Sequence, residues 1–227
     1  GVDHVFKHTK PGDRILVAGG RVGKDGIHGA TFSSESLNES SPVTAVQIGD
    51  PFTQKRVIDF VLEAQKKGLI TGITDNGAGG LSSSVGEMAN ITGGATIDLA
   101  KVPLKYPGLS DWEIVISESQ ERMTISSNRA EEVIALADEF DVEISDIGYF
   151  NDKGYFEIKR GNKVVALLDL EFLHGGLPPL ELKAEWKPAP IFEKIEDKGL
   201  SLEEKIKTLL AHENIASREE VIRQYDH

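Results

Sequence analysis

Residues 69–90, LITGITDNGAGGLSSSVGEMAN, contain a predicted strand, a glycine-rich loop and a predicted helix in direct succession. The strand is expected over Leu69–Thr74 and the helix over Leu81–Asn90, with the glycine pair at 93–94 ending the helix. Between them, the segment 75–80 places a carboxylate at a strand end and ahead of a helix N-terminus, where Mg²⁺ or an anion is favoured. An ordinary Asp-Asn turn before a helix gives the same pattern, so the residues alone leave both interpretations open.

Strands and helices are also predicted on both sides of this segment. Arg14–Ala18 is a short apolar run between Pro-Gly and Gly-Gly pairs, which predicts a buried strand. Apolar residues recur at helical spacing over 51–67, which predicts a helix with Asp50 as its cap and proline in its first turn. The other expected elements are a helix at 128–139 capped by Asn128 and strands at 95–99, 121–126, 155–159 and 163–168. This order predicts an α+β domain, with helices packed on a mixed sheet.

The C-terminal part of the chain differs in composition. Four prolines fall between residues 178 and 190, which predicts a domain edge and the start of an extended linker. Beyond it, Leu202–Leu210 is expected to be helical, and Ser217 with Glu220 matches the capping-box pattern of a last short helix. We therefore expect one domain over residues 1–180, and a linker with the start of a neighbouring domain over 181–227.

Composition restricts the classes of function. The 227 residues carry a formal net charge of −12 and include no cysteine. The negative charge argues against nucleic acid as a partner, because DNA would be repelled. The lack of cysteine excludes disulfides, thiolate metal sites and cysteine nucleophiles, and it is typical of a cytoplasmic protein. No apolar run approaches the roughly 18 residues of a membrane span, and no signal peptide is expected.

Two further segments and one isolated side chain have residue types suited to ligand binding. The glycine-rich loop 19–29 follows a strand and could wrap phosphate, but it fits neither the Walker nor the dinucleotide pattern, and a surface loop explains its glycines as well. Residues 117–122, SESQER, could bind substrate hydroxyls and amides, or could form a solvated loop. Gln47 is a polar residue in an apolar strand, where structural pairing of a buried amide is the commoner explanation.

Taken together, these segments resemble one known family. The synthetase subunit of phosphoribosylformylglycinamidine synthase is similar to this chain in five stretches of shared order and spacing, which are GGRVGKDGIHGA (19–30), QIGDPF (47–52), DNGAGGLSSSVGEMA (75–89), VPLK (102–105) and ISESQERM (116–123). In addition, RQYDH (223–227) resembles the opening of that family's next domain. The resemblance implies a domain like the C-terminal domain of aminoimidazole ribonucleotide synthetase, followed by the start of an ATP-binding-type domain.

The resemblance also implies an activity and site residues. The family's ligase uses ATP to activate the amide oxygen of formylglycinamide ribonucleotide, and ammonia from a glutaminase subunit or domain then gives the amidine. By position, Gln47 matches a substrate-contacting glutamine and Asp75 a Mg²⁺-ligating aspartate, while Glu118, Ser119 and Gln120 match a substrate-binding triplet. The family's catalytic histidine and ATP-contacting lysine match nothing here, which implies that the chain supplies only part of an active site.

Some features are left without a role, and two alternatives stay open. Asn76 stands where the family more often has Leu or Cys, and the resemblance gives no site role to Lys24, Asp25 or His28. A related ATP-dependent enzyme, acting on aminoimidazole ribonucleotide, selenophosphate or thiamine phosphate, is one alternative, although SESQERM together with RQYDH favours the first assignment. The other is a non-catalytic ligand-binding or assembly module whose glycine loops are structural.

Overall fold

The computed structural model describes residues 7–27, 49–176, 178, 180–187 and 199–223. The chain forms two compact units, Gly1–Pro179 and Leu180–His227. In the second unit, helices Leu202–Leu210 and Glu219–Ile222 bury no residue. Among the described helices, none combines the length and the apolar character needed to cross a membrane.

A seven-stranded mixed sheet forms the centre of the first unit. Its strands, in the order in which they neighbour one another, are β2 (Gly72–Asp75), β4 (Arg122–Ser127), β1 (Arg14–Gly19), β5 (Ile144–Phe150), β3 (Ala95–Asp98), β6 (Tyr155–Arg160) and β7 (Lys163–Asp169). All neighbours are antiparallel except β3 and β6, which are parallel. The predicted α+β class with a mixed sheet is therefore confirmed.

Helices cover both faces of this sheet. Side chains alternate along β1, so that Ile15 and Val17 join one hydrophobic cluster while Leu16 and Ala18 join the other. The first cluster also takes in side chains from three α-helices and the second from two. The helices of the first cluster are α2 (Gly80–Thr92), α3 (Asp111–Ile116) and α5 (Leu170–Gly175). The helices of the second cluster are α1 (Pro51–Lys66) and α4 (Ala130–Glu139).

The segment at 69–90 has the predicted types of structure with shifted boundaries. Helix α1 ends at Lys66, but Leu69 still donates its N–H to the Ala64 carbonyl at 3.0 Å and so caps the helix end, and β2 begins only at Gly72. Helix α2 starts one residue early, at Gly80, and ends at Thr92 ahead of a left-handed Gly93. The strand, glycine loop and helix therefore follow one another as expected.

Helix caps were predicted with mixed success. The Asp50 carboxylate accepts the Phe52 N–H at 3.0 Å, as expected for the cap of α1. Asn128 was wrong as the cap of α4, because Arg129 occupies that position and its N–H donates to the Ser127 hydroxyl at 2.9 Å.

The last short helix was predicted with the wrong cap. Helix Glu219–Ile222 begins after Arg218, and the Ser217 hydroxyl accepts the Glu219 N–H at 3.2 Å. The expected capping box of Ser217 and Glu220 was therefore wrong, because the helix starts one residue later than that pattern requires.

Strand β5 was not predicted, and its partners explain why. Asp146 interrupts the apolar alternation of Ile144–Phe150. Its carboxylate accepts two hydrogen bonds, of 2.8 and 2.7 Å, from the guanidinium of Arg14 on β1. The register between β1 and β5 also shifts at Ile15/Leu16. Because Asp146 is paired with an arginine on a distant strand, the local sequence of 144–150 does not predict a strand.

Candidate functional site

The three candidate ligand-binding segments meet at one end of the sheet. β1 ends at Gly19 and β2 ends at Asp75, while the antiparallel β4 between them begins at Arg122. Gly19 is paired with Arg122, and Asp75 is paired with Met123. The glycine loop, the Asp75 loop and the polar segment before β4 therefore leave the sheet from adjacent positions.

Protein acceptors take up the N–H groups at the start of the glycine loop. The N–H groups of residues 19, 20, 22, 23 and 24 donate, over 2.8 to 3.0 Å, to Glu143 O, Glu121 O, Pro103 O, Ser119 Oγ and Tyr106 Oη. N–H groups bonded in this way are not available to phosphate. The structure therefore favours the structural interpretation of this part of the loop.

Two charged residues of the loop, which the family resemblance left without a role, have protein partners. Lys24 forms an ion pair with Glu113 at 3.0 Å, and Asp25 forms one with Lys105 at 2.8 Å. These pairs fasten the loop to α3 and to the VPLK stretch. His28 lies outside the described residues.

Asp25 is held in its charged form. Burial acts to raise its pKa, but hydrogen bonds from Lys105 and Ser119, together with the positive charge of Lys105, outweigh that effect and leave the pKa of Asp25 below its ordinary value. The carboxylate therefore stabilises the fold at pH values above the ordinary value of 3.8, and this contribution is lost as the pH falls through the lower folded-state pKa.

We expect the Asp25→Asn variant to unfold at lower urea concentration than the wild type at neutral pH, because the amide keeps hydrogen-bonding capacity but loses the ion pair. The difference should shrink as the pH falls below about 4. Urea midpoints measured from about pH 3 to about pH 7 check this. Asp152→Asn, at an exposed position, is the control, and an Asp25 difference that stays constant with pH would contradict the assignment.

Ser119 has a buried hydroxyl whose hydrogen-bonding capacity is filled. It accepts the Gly23 N–H at 2.8 Å, donates to the Asp25 carboxylate and lies 3.0 Å from the Ser117 hydroxyl. Only 1 % of the residue is exposed. One donor and two acceptors are all that a hydroxyl has, so the Ser119 hydroxyl has no hydrogen-bonding capacity left for a ligand.

Glu118 and Gln120 flank Ser119 and are partly exposed. The Glu118 N–H donates to the Asp25 carbonyl at 2.8 Å, and the Gln120 amide donates to the Glu118 carbonyl at 2.9 Å. The main chain of this segment is therefore attached to the glycine loop, while two polar side chains alternate with a buried one. Of the matched triplet, Glu118 and Gln120 are the residues whose side chains can face a ligand.

Arg122 lies beneath this segment, and although it ends the SESQER stretch, no role of its own was predicted for it. Its residue is 3 % exposed, its Nε donates to the Ser119 carbonyl at 2.8 Å, and its Nη2 donates to the Ser117 carbonyl. Burial lowers the pKa of Arg122 to about 10, against the opposing effect of the Asp25 charge. It is charged at neutral pH. The available signal was an arginine in an otherwise buried strand.

Asp75 is exposed at the end of β2, and its Oδ1 accepts the Gly77 N–H at 3.1 Å. A carboxylate oxygen of this kind is a suitable ligand for Mg²⁺. Within the described ranges, no group of three or more acidic, histidine or cysteine side chains could hold a metal ion. Asp75 therefore fits Mg²⁺ in chemical type, but the other ligands must come from substrate, water or other protein segments.

A cleft of about 490 Å³ lies beside Gln120 and Glu121. Its charged lining is largely paired, since Arg21 bonds Glu143 at 2.8 Å and Arg56 bonds Asp141 at 2.8 Å. The remaining lining includes Gly19, Gly20, Gly49 and Asp50. Gln47, the remaining predicted substrate residue, lies outside the described residues.

Comparison with known proteins supports the family resemblance. A family model described as AIR synthase related protein, C-terminal domain, matches residues 10–161. The phosphoribosylformylglycinamidine synthase subunit PurL of Methanopyrus kandleri is 41% identical over 226 residues, covering 96% of this chain and 31% of the relative. The protein of the same name from Chlorobium chlorochromatii is 39% identical, over 95% of this chain and 30% of its own. The chain thus spans about a third of the length of these relatives.

Solved structures agree with this comparison. Thermotoga maritima PurL complexed with FGAR has a TM-score of 0.71 and 34% identity, covering 84% of this chain and 32% of that one. The structure of PurLQS from the same organism has a TM-score of 0.70 and 28% identity, covering 97% and 33%. The T. maritima PurL complex with ATP gives 0.69 and 28%, also covering 97% and 33%. The predicted similarity to this family and the predicted fold are both confirmed.

Proposed function

This chain belongs to the AIR synthase related protein C-terminal domain family, and from this membership we propose that it works as part of a PurL-type phosphoribosylformylglycinamidine synthase. The full-length synthetase would be an ATP-dependent ligase of purine biosynthesis, acting in the cytoplasm. Its reaction would convert formylglycinamide ribonucleotide, ATP and ammonia to formylglycinamidine ribonucleotide, ADP and phosphate. The ammonia would come from glutamine through a glutaminase partner, a proposal supported by the similarity to PurLQS.

One observation carries this proposal. Asp75, Glu118 and Gln120 are separated in the sequence, yet they lie on loops that leave adjacent strands at the same end of the sheet. Phosphoryl transfer to an amide oxygen requires a carboxylate that binds a cation close to polar side chains that bind the substrate. The cleft lined by Gln120 offers space for a ligand.

We assign the residues as follows. Glu118 and Gln120 bind and orient the formylglycinamide ribonucleotide, and the buried Ser119 between them holds their segment against the glycine loop. Gln47 adds a further substrate contact, and Asp75 holds Mg²⁺ together with ligands from outside this chain. When bound, Mg²⁺ would stabilise the negative charge that develops on phosphoryl oxygens. The chain positions substrate and cation, and the remaining domains of the synthetase would supply the catalytic acid-base groups and most ATP contacts.

An assay of the full-length synthetase tests the proposal. We expect ADP release to require formylglycinamide ribonucleotide, with ammonium chloride able to replace the glutaminase as the source of ammonia. The absence of substrate-dependent ADP release under these conditions would overturn the assignment.

Calorimetry on the 227-residue chain separates a divided site from a self-sufficient binding module. With formylglycinamide ribonucleotide and Mg²⁺, the chain alone should show no measurable binding, because one carboxylate holds Mg²⁺ only weakly and the rest of the proposed site lies in other domains. Binding by the chain, combined with an inactive full-length protein, would favour the alternative of a non-catalytic ligand-binding module.

A further inference from the structure

Arg122 is a charged residue buried at the start of β4, directly beneath the proposed substrate-binding segment. Its Nε and Nη2 atoms donate to the carbonyl oxygens of Ser119 and Ser117, which are two residues apart. Its Nη1 is buried and has no hydrogen-bond partner within the described part of the chain. The guanidinium therefore hydrogen-bonds to the main chain of residues 117–119 and does not reach the surface.

We propose that Arg122 is a positioning residue for the ligase reaction, which fixes the main chain of Ser117–Ser119 so that the Glu118 and Gln120 side chains face the substrate. This inference rests on the proposed function. It assigns Arg122 no contact with substrate, and its effect is carried through the two carbonyl groups that it holds.

The geometry of the guanidinium explains why arginine stands here. Its donors form a rigid planar fork, so that bonds to two carbonyl groups fix both the distance and the relative orientation of those groups. A lysine ammonium is a compact charge that lacks this planar fork. A buried charge without a direct ion pair is unfavourable unless it is hydrogen-bonded. In Arg122 the bonds to residues 117 and 119 meet this need at Nε and Nη2.

A second connection holds the same stretch from its other side. The Ser119 hydroxyl links the Gly23 N–H to the Asp25 carboxylate, and the Glu118 N–H donates to the Asp25 carbonyl. The negative charge of Asp25 also acts favourably on the Arg122 guanidinium. Residues 117–119 are therefore held between Arg122 and the glycine loop, which leaves Glu118 and Gln120 little freedom to change direction.

Steady-state kinetics of the full-length synthetase test this role. We expect Arg122→Met to raise the KM for formylglycinamide ribonucleotide about tenfold while the KM for ATP changes less than about twofold, because substrate contacts are misplaced and ATP contacts lie elsewhere. Arg122→Lys, which retains the charge and can reach one carbonyl, should raise the substrate KM about threefold. Arg129→Met, at an exposed arginine paired with Glu132, is the matched control and should change neither KM.

The measured parameters separate positioning from general support of the fold. A purely structural role would lower kcat in proportion to the folded fraction and leave the substrate KM unchanged, and that result would overturn the proposal. If Arg122→Met fails to fold, Arg122→Lys decides by the same criterion. An inactive wild-type synthetase would instead refute the proposed function, so the two failures are distinguishable.

Discussion

Asp75→Asn is expected to lower the turnover of the full-length synthetase on the order of a hundredfold and to raise the Mg²⁺ concentration needed for half-maximal rate. The substitution removes a negative charge from the proposed metal ligand and leaves an amide oxygen, which is a weaker ligand for a hard cation. The fold should be unaffected, because Asp75 is exposed and an asparagine Oδ1 can still accept the Gly77 N–H.

The measurement is the initial rate of ADP release as a function of Mg²⁺ concentration, at saturating substrate and ATP. Asp59→Asn is a matched control, since it removes a carboxylate that pairs with Lys55 on α1 and belongs to none of the three site loops. Equal Mg²⁺ dependence in the wild type and in Asp75→Asn would remove Asp75 from the site.

Gly19→Ala is expected to destabilise the 227-residue chain by about 3 kcal/mol. Gly19 has a φ of +103° at the end of β1, and a Cβ added there would overlap the Glu121 carbonyl oxygen and lie 3.1 Å from the Val57 side chain. The cost therefore combines a strained backbone with a steric clash in the segment that precedes β4. That clash should also shift Gln120 and weaken substrate binding in the full-length synthetase.

Gly12→Ala separates these two effects. Gly12 has a similar φ of +97°, but a Cβ there would meet no atom within 4 Å. Its substitution should cost only about 1 kcal/mol of backbone strain. The urea midpoint, followed by Trp112 fluorescence in a Trp186→Phe background, measures both variants. If Gly19→Ala and Gly12→Ala lost equal free energy of unfolding, the clash with the Glu121 carbonyl would contribute nothing to the destabilisation.

Gly80 extends the same argument to the Asp75 loop. It has a φ of +52° at the first position of α2, and a Cβ there would overlap the Ser117 carbonyl oxygen. The helix that follows Asp75 can therefore pack against the substrate-binding segment only with glycine at this point. Glycines that appeared equivalent in the sequence thus differ in their structural role. Gly19 and Gly80 permit close packing of the site loops, whereas Gly12 has no neighbouring atom that a Cβ would meet.

Local signals in the sequence predicted much of the fold. The repeated apolar spacing behind Asp50 predicted α1, and the alternation around the turn at 161–162 predicted the hairpin of β6 and β7, both of which are present. The strand, glycine loop and helix around Asp75 were likewise predicted in type. In each case the determining interactions lie within a few residues, as in a helix cap or a two-stranded turn.

The identity of the ligand-binding segments was also available from the sequence, because motif order and spacing do not depend on folding. Asp75, Glu118 and Gln120 were selected in this way, and the structure brings their loops to one end of the sheet. The comparisons confirm the family from which they were transferred. The roles of these residues remain predictions for the experiments above.

Only the tertiary structure decided which polar groups can face a ligand. Ser119 was selected together with its neighbours, yet its hydroxyl is filled by Gly23 and by Asp25, which is 94 residues away in the sequence. Most N–H groups at the start of the glycine loop are likewise bonded to distant segments. Arg122 was part of the ISESQERM stretch without a role of its own, and the role proposed for it follows from its burial beneath the segment it holds. The sequence determined which polar groups this protein has, whereas long-range hydrogen bonding and burial determined which of them lie inside the fold and which lie at its surface.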